Sequence, residues 1–304
     1  MTGQKRGWRY WRNLAIFTLF ALFSGWLVFF YLGHPFFYSQ GFAHPQRLAV
    51  CCVTPADRGL PYEEVTFPTR DGLTLHGWYL PSHNTATVML LHPLASNRIA
   101  MLEVATLLAH HDYGVLLFDL RAQGESDGDV LPYGGNEAED VRGAADYLQT
   151  RADVDAQRIG ALGWSLGAQV SILGAARTDQ IRAVIADGPC CTVASDWGPP
   201  HTFGDWLYVP YDLVFYQFLN WRTGVACPVS VRDALAALTP RPVLLIGGGA
   251  EQKRLEYLYS GAQEPKTLWI IPEAGHIDGL NARPTEYEEK IVHFFDQALL
   301  GNRP

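Results

Sequence analysis

Gly163-Trp164-Ser165-Leu166-Gly167 is the local pattern in this chain that most directly spells chemistry. An apolar run, Ile159–Leu162, precedes it and a helical pattern, Leu166–Arg177, follows. A strand that turns sharply into a helix at G-x-S-x-G holds the serine hydroxyl out of the sheet, with the free N–H groups and positive dipole end of the helix behind it. Glycines on both sides let strand and helix approach where a Cβ would collide. A hydroxyl is a poor nucleophile until a base takes its proton. Of the ten histidines, His276 is placed for that task, in Glu273-Ala274-Gly275-His276 directly after the last strand pattern. His110 and His111 sit where a helix should end, and His201 lies in an irregular aromatic stretch.

The base needs a carboxylate to hold its tautomer and to stabilise the imidazolium. Glu251, after the apolar run Val243–Ile246, is the preferred acid; Asp187, at the end of the preceding strand, is the rival, and Asp278 a third choice. An acyl-transfer oxyanion also needs two donors. The backbone N–H of Leu166 is one, being next after the serine. Leu94, in the loop His92-Pro93-Leu94-Ala95-Ser96, is the other, because Pro93 has no N–H.

Such a set works only if distant loops meet at one edge of a sheet. Glu63–Phe67 and Leu73–Leu80 alternate apolar and polar around Asp71-Gly72, which predicts a hairpin. Thr87–Leu91, Val115–Leu120, Arg158–Leu162, Ala183–Ala186, Val243–Ile246 and Thr267–Ile271 are short and mostly apolar throughout, the signature of strands buried on both faces. Helical patterns fall between them at about 97–111, 136–150, 166–177, 230–238 and 251–261, with a last one at 285–299. That alternation predicts one α/β domain at 61–300, a mostly parallel sheet covered by helices on both faces. The stretch 188–229 breaks the rhythm. It is rich in Trp, Tyr, Phe and Pro, too aromatic for disorder, and is expected to form a lid over the site.

The first part of the chain has another character. Leu14 to Leu32 carries no charge, and Thr18 and Ser24 are its most polar side chains. At ~1.5 Å per residue such a run can cross a hydrocarbon core of ~30 Å. Lys5, Arg6, Arg9 and Arg12 precede it, and the next Lys or Arg is Arg47. The expected organisation is therefore a cytoplasmic N-terminus at 1–13, a transmembrane anchor at 14–32, a Pro-, Gly- and aromatic-rich linker at 33–60, and a catalytic domain on the far side. A cleaved signal peptide is the competing reading, disfavoured by the length of the run and the lack of a small-residue cleavage site. Over 304 residues the net charge of −8 is dispersed, with no basic stripe, which argues against nucleic acid as a partner. The five cysteines are two adjacent pairs, Cys51-Cys52 and Cys190-Cys191, and Cys227; a bridge from Cys190 or Cys191 to Cys227 would staple the lid. Their spacing with histidine is not that of a zinc site.

Taken together, Thr69-Arg70-Asp71-Gly72, His92-Pro93, Phe118-Asp119-Leu120-Arg121-Ala122-Gln123-Gly124-Glu125-Ser126, Gly163–Gly167 and Gly275-His276 resemble the α/β-hydrolase superfamily, in particular its membrane-anchored serine hydrolases and serine-aminopeptidase-like members. The resemblance covers about residues 60–300. It implies a serine hydrolase without metal or organic cofactor, and a supporting rather than reacting role for Asp119 and Arg121. The chain departs from that pattern at Pro93 and Ala122, where the family usually has Gly, and at Glu251, where Asp is common. The expected activity is hydrolysis of an apolar or lipid-like acyl ester through an acyl-enzyme; an aminopeptidase-type peptidase and a non-catalytic hydrolase-fold membrane protein are the alternatives.

Overall fold

Successive side chains of a strand point to opposite faces, so a strand buried on both sides feeds two cores. The computed structural model, which describes residues 3–301, shows this directly. Met89 and Leu91 of β3 (Thr87–Leu91), Leu116 and Phe118 of β4 (Gly114–Phe118), and Ala161 of β5 (Ile159–Trp164) enter one apolar cluster. Their neighbours Val88, Leu90, Val115, Leu117 and Leu162 enter the other. Helices α4 (Ala138–Leu148), α5 (Leu166–Ala176) and α7 (Val231–Ala236) cover the first face. Helices α3 (Leu102–His110) and α9 (Pro284–Phe295) cover the second.

With β1 (Glu63–Pro68), β2 (Thr74–Leu80), β6 (Ala183–Asp187), β7 (Val243–Gly248) and β8 (Lys266–Ile271), the strands form one eight-stranded sheet in the order β1-β2-β4-β3-β5-β6-β7-β8. The hairpin β1–β2 and the β2–β4 pair are antiparallel, and the remaining pairs are parallel. This is the α/β-hydrolase fold, and it aligns the C-terminal ends of β3, β5, β7 and β8 along one edge.

Two expectations are corrected. The linker at 33–60 begins as helix. After α1 (Gly3–Val28) the chain passes through a π-helical turn at Phe29–Gly33 directly into α2 (His34–Ala43). Gly33 and Pro35 look like breaks, but Pro35 lies just after the π-helical turn, where the regular hydrogen-bond ladder is already interrupted and a residue without an N–H is accommodated. The stretch 188–229, expected to form a lid, carries regular structure. It holds a long helix, α6 (Phe203–Thr223), opened by a capping box between Thr202 and Asp205 and closed by Gly224 in the left-handed conformation. The mid-helix Pro210 and the many aromatic residues hide its periodicity.

Among the described residues, one helix, Gly7–Ala43, is long and apolar enough to cross a membrane. No residue from Gly7 to Val28 is buried. Met1 and Thr2 of the expected cytoplasmic segment 1–13 lie outside the described residues.

Candidate active site

The corner at Ser165 is built by its glycines. A Cβ on Gly163 would lie 2.1 Å from the Gly167 carbonyl oxygen, and one on Gly167 2.1 Å from that of Leu91. Any side chain there would drive α5 off the sheet. Ser165 itself has φ +53 and ψ −112, a conformation costing ~1–3 kcal/mol that persists only when its surroundings impose it. Its N–H donates to the Asp187 carbonyl (2.8 Å) and its carbonyl accepts from the Ala168 N–H (3.0 Å).

Three loops converge on this corner. Ser165 Oγ lies 2.8 Å from Nε2 of His276, which follows β8, and His276 Nδ1 lies 2.9 Å from Glu251 Oε1, in the short turn after β7. An ionised carboxylate only accepts, so the proton sits on Nδ1 and leaves Nε2 free to accept from the serine hydroxyl. Glu251 also accepts from Arg254 of α8 (Gln252–Gly261) and from the Gly248 N–H at 3.3 Å. Burial opposes its ionised form, but the hydrogen bond with His276 and the charge of Arg254 outweigh burial, and the carboxyl titrates below the usual glutamate range. The hydrogen bond to Glu251 in turn raises His276 above the ordinary histidine value, against burial. The pair is thus charged complementarily whenever the imidazole holds a second proton.

Asp187 is occupied elsewhere. Its Oδ2 accepts from Tyr287 Oη (3.0 Å), which accepts in turn from Trp164 Nε1 (3.0 Å), and burial pushes its carboxyl up to about 7. No hydrogen bond joins it to His276 among the described residues. Asp278 accepts from Asn281 instead. The geometry therefore brings Glu251, and not the two other carboxylates, to the imidazole.

Leu94 and Leu166 line the same cavity as Ser165. Leu166 is the first residue of α5, where the N–H has no intrahelical acceptor. The loop carrying Leu94 is held by the buried His92, whose Nε2 accepts from the Leu120 N–H (3.0 Å) and whose Nδ1 donates to the Pro93 carbonyl (2.8 Å). The Ala95 N–H, at φ +52, donates to Gln123 Oε1 (2.7 Å). Asp119, fully buried, accepts from the backbone of Arg98 (2.8 Å) and Glu125 (2.9 Å), and Arg121 bridges Asp140 and Asp71. These bonds brace the loops and touch none of the three converging side chains.

The cavity holds about 540 Å³ and is chiefly aromatic: Tyr133, Tyr211, Phe215 and Tyr216 line it, with Tyr38 and Phe42 of α2. That last contribution is illegible in the sequence, because α2 precedes the sheet by many residues and reaches the site by packing on α6 and on the loop of Tyr133, whose ring lies 5.4 Å from that of Phe42. All five cysteines are free thiols, so neither Cys190 nor Cys191 is bridged to Cys227, and Cys190 faces the cavity.

Residues 73–290 match the model of the alpha/beta hydrolase family. The uncharacterized protein YfhR of Escherichia coli K12 is 31% identical over 253 residues, 78% of this chain and 81% of that protein. The polyketide transferase ATR5 of Stachybotrys chlorohalonatus is 37% identical over 224 residues, covering 71% of this chain and 67% of its own. Among solved structures, the Pyrococcus furiosus esterase Pf2001 superposes with a TM-score of 0.68 at 25% identity, over 84% of this chain and 99% of that one.

Proposed function

Since the chain belongs to the alpha/beta hydrolase family, we propose that it is a serine hydrolase that cleaves an apolar acyl ester through an acyl-enzyme. The observation that carries this reading is the continuous chain Ser165 Oγ, His276, Glu251, with both links at or below 2.9 Å. Ser165 Oγ attacks the acyl carbonyl carbon while its proton passes to His276 Nε2. The carbonyl π electrons move onto oxygen, where the Leu94 and Leu166 N–H groups receive the charge, each worth ~10²–10³ in rate. Collapse breaks the ester C–O bond, and His276 returns the proton to the leaving alcohol. Water repeats the sequence, releasing the acid and restoring the serine. Glu251 holds Nδ1–H and offsets the imidazolium charge throughout.

The mainly aromatic cavity supports an apolar acyl group, and the esterase likeness supports the bond type. The exposed apolar helix α1 supports a single-pass anchor at 14–32, with residues 1–13 cytoplasmic and the catalytic domain extracytoplasmic. A second reading rests on Asp212 of α6, a half-buried carboxyl on the cavity wall that forms no hydrogen bond or ion pair among the described residues and is pushed up to about 6 by burial. In an aminopeptidase-type enzyme it would seat the substrate's ammonium. A panel of p-nitrophenyl esters of rising chain length and aminoacyl amides, given to the full-length protein in detergent, separates the two. Ester turnover that improves with acyl length is expected; faster amide cleavage that depends on Asp212 would overturn the ester reading.

A further inference from the structure

The helix that leaves the anchor packs along α6. Tyr31 Oη donates to the Leu207 carbonyl (3.1 Å), His34 Nδ1 meets Tyr211 Oη (2.8 Å), the Phe36 and Phe218 rings lie 5.2 Å apart, and Arg222 donates to Gln40 Oε1 (2.6 Å). Both numbers of each pair rise together, so α6 runs parallel to the helix that leaves the anchor. Arg222 locks the two with further bonds to Ser39 Oγ (3.0 Å) and the Phe36 carbonyl (2.8 Å). The start of α6 therefore lies level with the end of the anchor. Leu207 stands beside Tyr31, and Phe203, one turn earlier, sits ~6 Å further toward the bilayer at ~1.5 Å per residue.

That first stretch of α6 presents large apolar side chains to the outside: Phe203 is 78% exposed and Trp206 62%. In water they would form a costly patch; at the level where the span 14–32 ends they meet the headgroup and acyl boundary, where aromatic rings are favoured. Beside them a groove of about 610 Å³ runs from Pro200 and His201 inward, and it shares Trp197, Tyr208, Asp212, Glu251 and Arg254 with the cavity of Ser165. The patch, the groove and the serine lie in sequence along one path.

We propose that the N-terminal end of α6 docks on the surface of the bilayer that holds α1, and that the substrate is a membrane-resident lipid ester entering from the bilayer through this groove. The docking half stands on packing alone; the substrate half rests on the serine-hydrolase reading above. Continuity with the anchor commits the occupant to lipid rather than to a soluble partner. Trp221, 69% exposed but on the opposite end of α6, serves as the control.

The test uses the full-length protein in lipid nanodiscs. Lipids brominated on their acyl chains quench tryptophan by contact. Trp206→Phe is expected to remove a quenched emitter and lower the quenched fraction, whereas Trp221→Phe removes an unquenched one and raises it. The Phe203→Ser/Trp206→Ser double variant is expected to lose at least tenfold in hydrolysis of a long-chain ester dissolved in the nanodisc, while cleavage of a short water-soluble ester stays within twofold. Equal loss on both esters, loss on neither, or cross-linking of Trp206 to a second copy of the chain would overturn the proposal. If Ser165→Ala leaves the short ester cleaved at the wild-type rate, it is the serine-hydrolase reading that fails, and the quenching result still decides the docking.

Discussion

Replacing Glu251 by Gln removes one charge with little change of shape and separates the acid from its rival. The imidazolium and carboxylate centres sit about 4 Å apart, worth ~4 kcal/mol at an effective dielectric of 20 and ~1 in water. Glu251 is 9% exposed and His276 46%, so the pair lies between these limits, and ~2–3 kcal/mol is lost with the charge. At ~1.4 kcal/mol per decade that is roughly 30- to 150-fold. Two further effects act in the same direction. A carboxamide can donate to Nδ1 and hold the wrong tautomer, and Arg254, no longer offset, disfavours the imidazolium. The expected fall in kcat is about 10³, with KM little changed. Asp187→Asn, whose hydrogen bond is with Tyr287 rather than His276, should cost less than tenfold. The assay is steady-state cleavage of a p-nitrophenyl ester by the full-length protein, with circular dichroism to verify folding. A Glu251→Gln variant within threefold of wild type, or a larger loss from Asp187→Asn, would refute the reasoning.

Three other outcomes follow from the same geometry. Because Glu251 raises His276 above the ordinary histidine value, kcat/KM should fall as pH drops through that raised value, and in Glu251→Gln the acid limb should move to lower pH; an unmoved limb in a pH–rate profile would contradict this. Gly167→Ala puts a Cβ 2.1 Å from a backbone oxygen and should prevent folding or cost more than ~4 kcal/mol, whereas Gly41→Ala, in open space on α2, should be neutral or stabilising by up to ~1 kcal/mol; thermal denaturation in detergent compares them. Arg121→Met leaves the fully buried Asp140 without its partner and should cost ~3–5 kcal/mol, read as a lowered Tm.

What the sequence makes legible is what local chemistry dictates. The Ser165 corner is specified by glycines two residues away on either side, and continuous apolar runs between helical patterns name a doubly covered sheet. His276 and Glu251 are legible as loop residues following strands, because parallel strands bring their C-terminal ends to one edge. Less is legible where packing decides. Asp187 and Glu251 follow neighbouring strands, and packing decides their partners: Asp187 accepts from Tyr287, on a helix a hundred residues downstream, and Glu251 meets His276. Helix α6 is hidden because aromatic residues around its whole circumference leave no polar stripe, as suits a helix wedged between a cavity, helix α2 and an exposed face. The continuation of α1 through Gly33 and Pro35 is masked by two residues that usually punctuate, and with it the role of Tyr38 and Phe42 in the cavity wall.

The most direct test of the central claim is labelling of the intact protein with a fluorophosphonate followed by peptide mass analysis. One adduct on Ser165 is expected, absent in Ser165→Ala and strongly slowed in His276→Ala. No adduct on the wild type, or equal labelling of Ser165→Ala, would contradict it and leave a hydrolase fold put to another use.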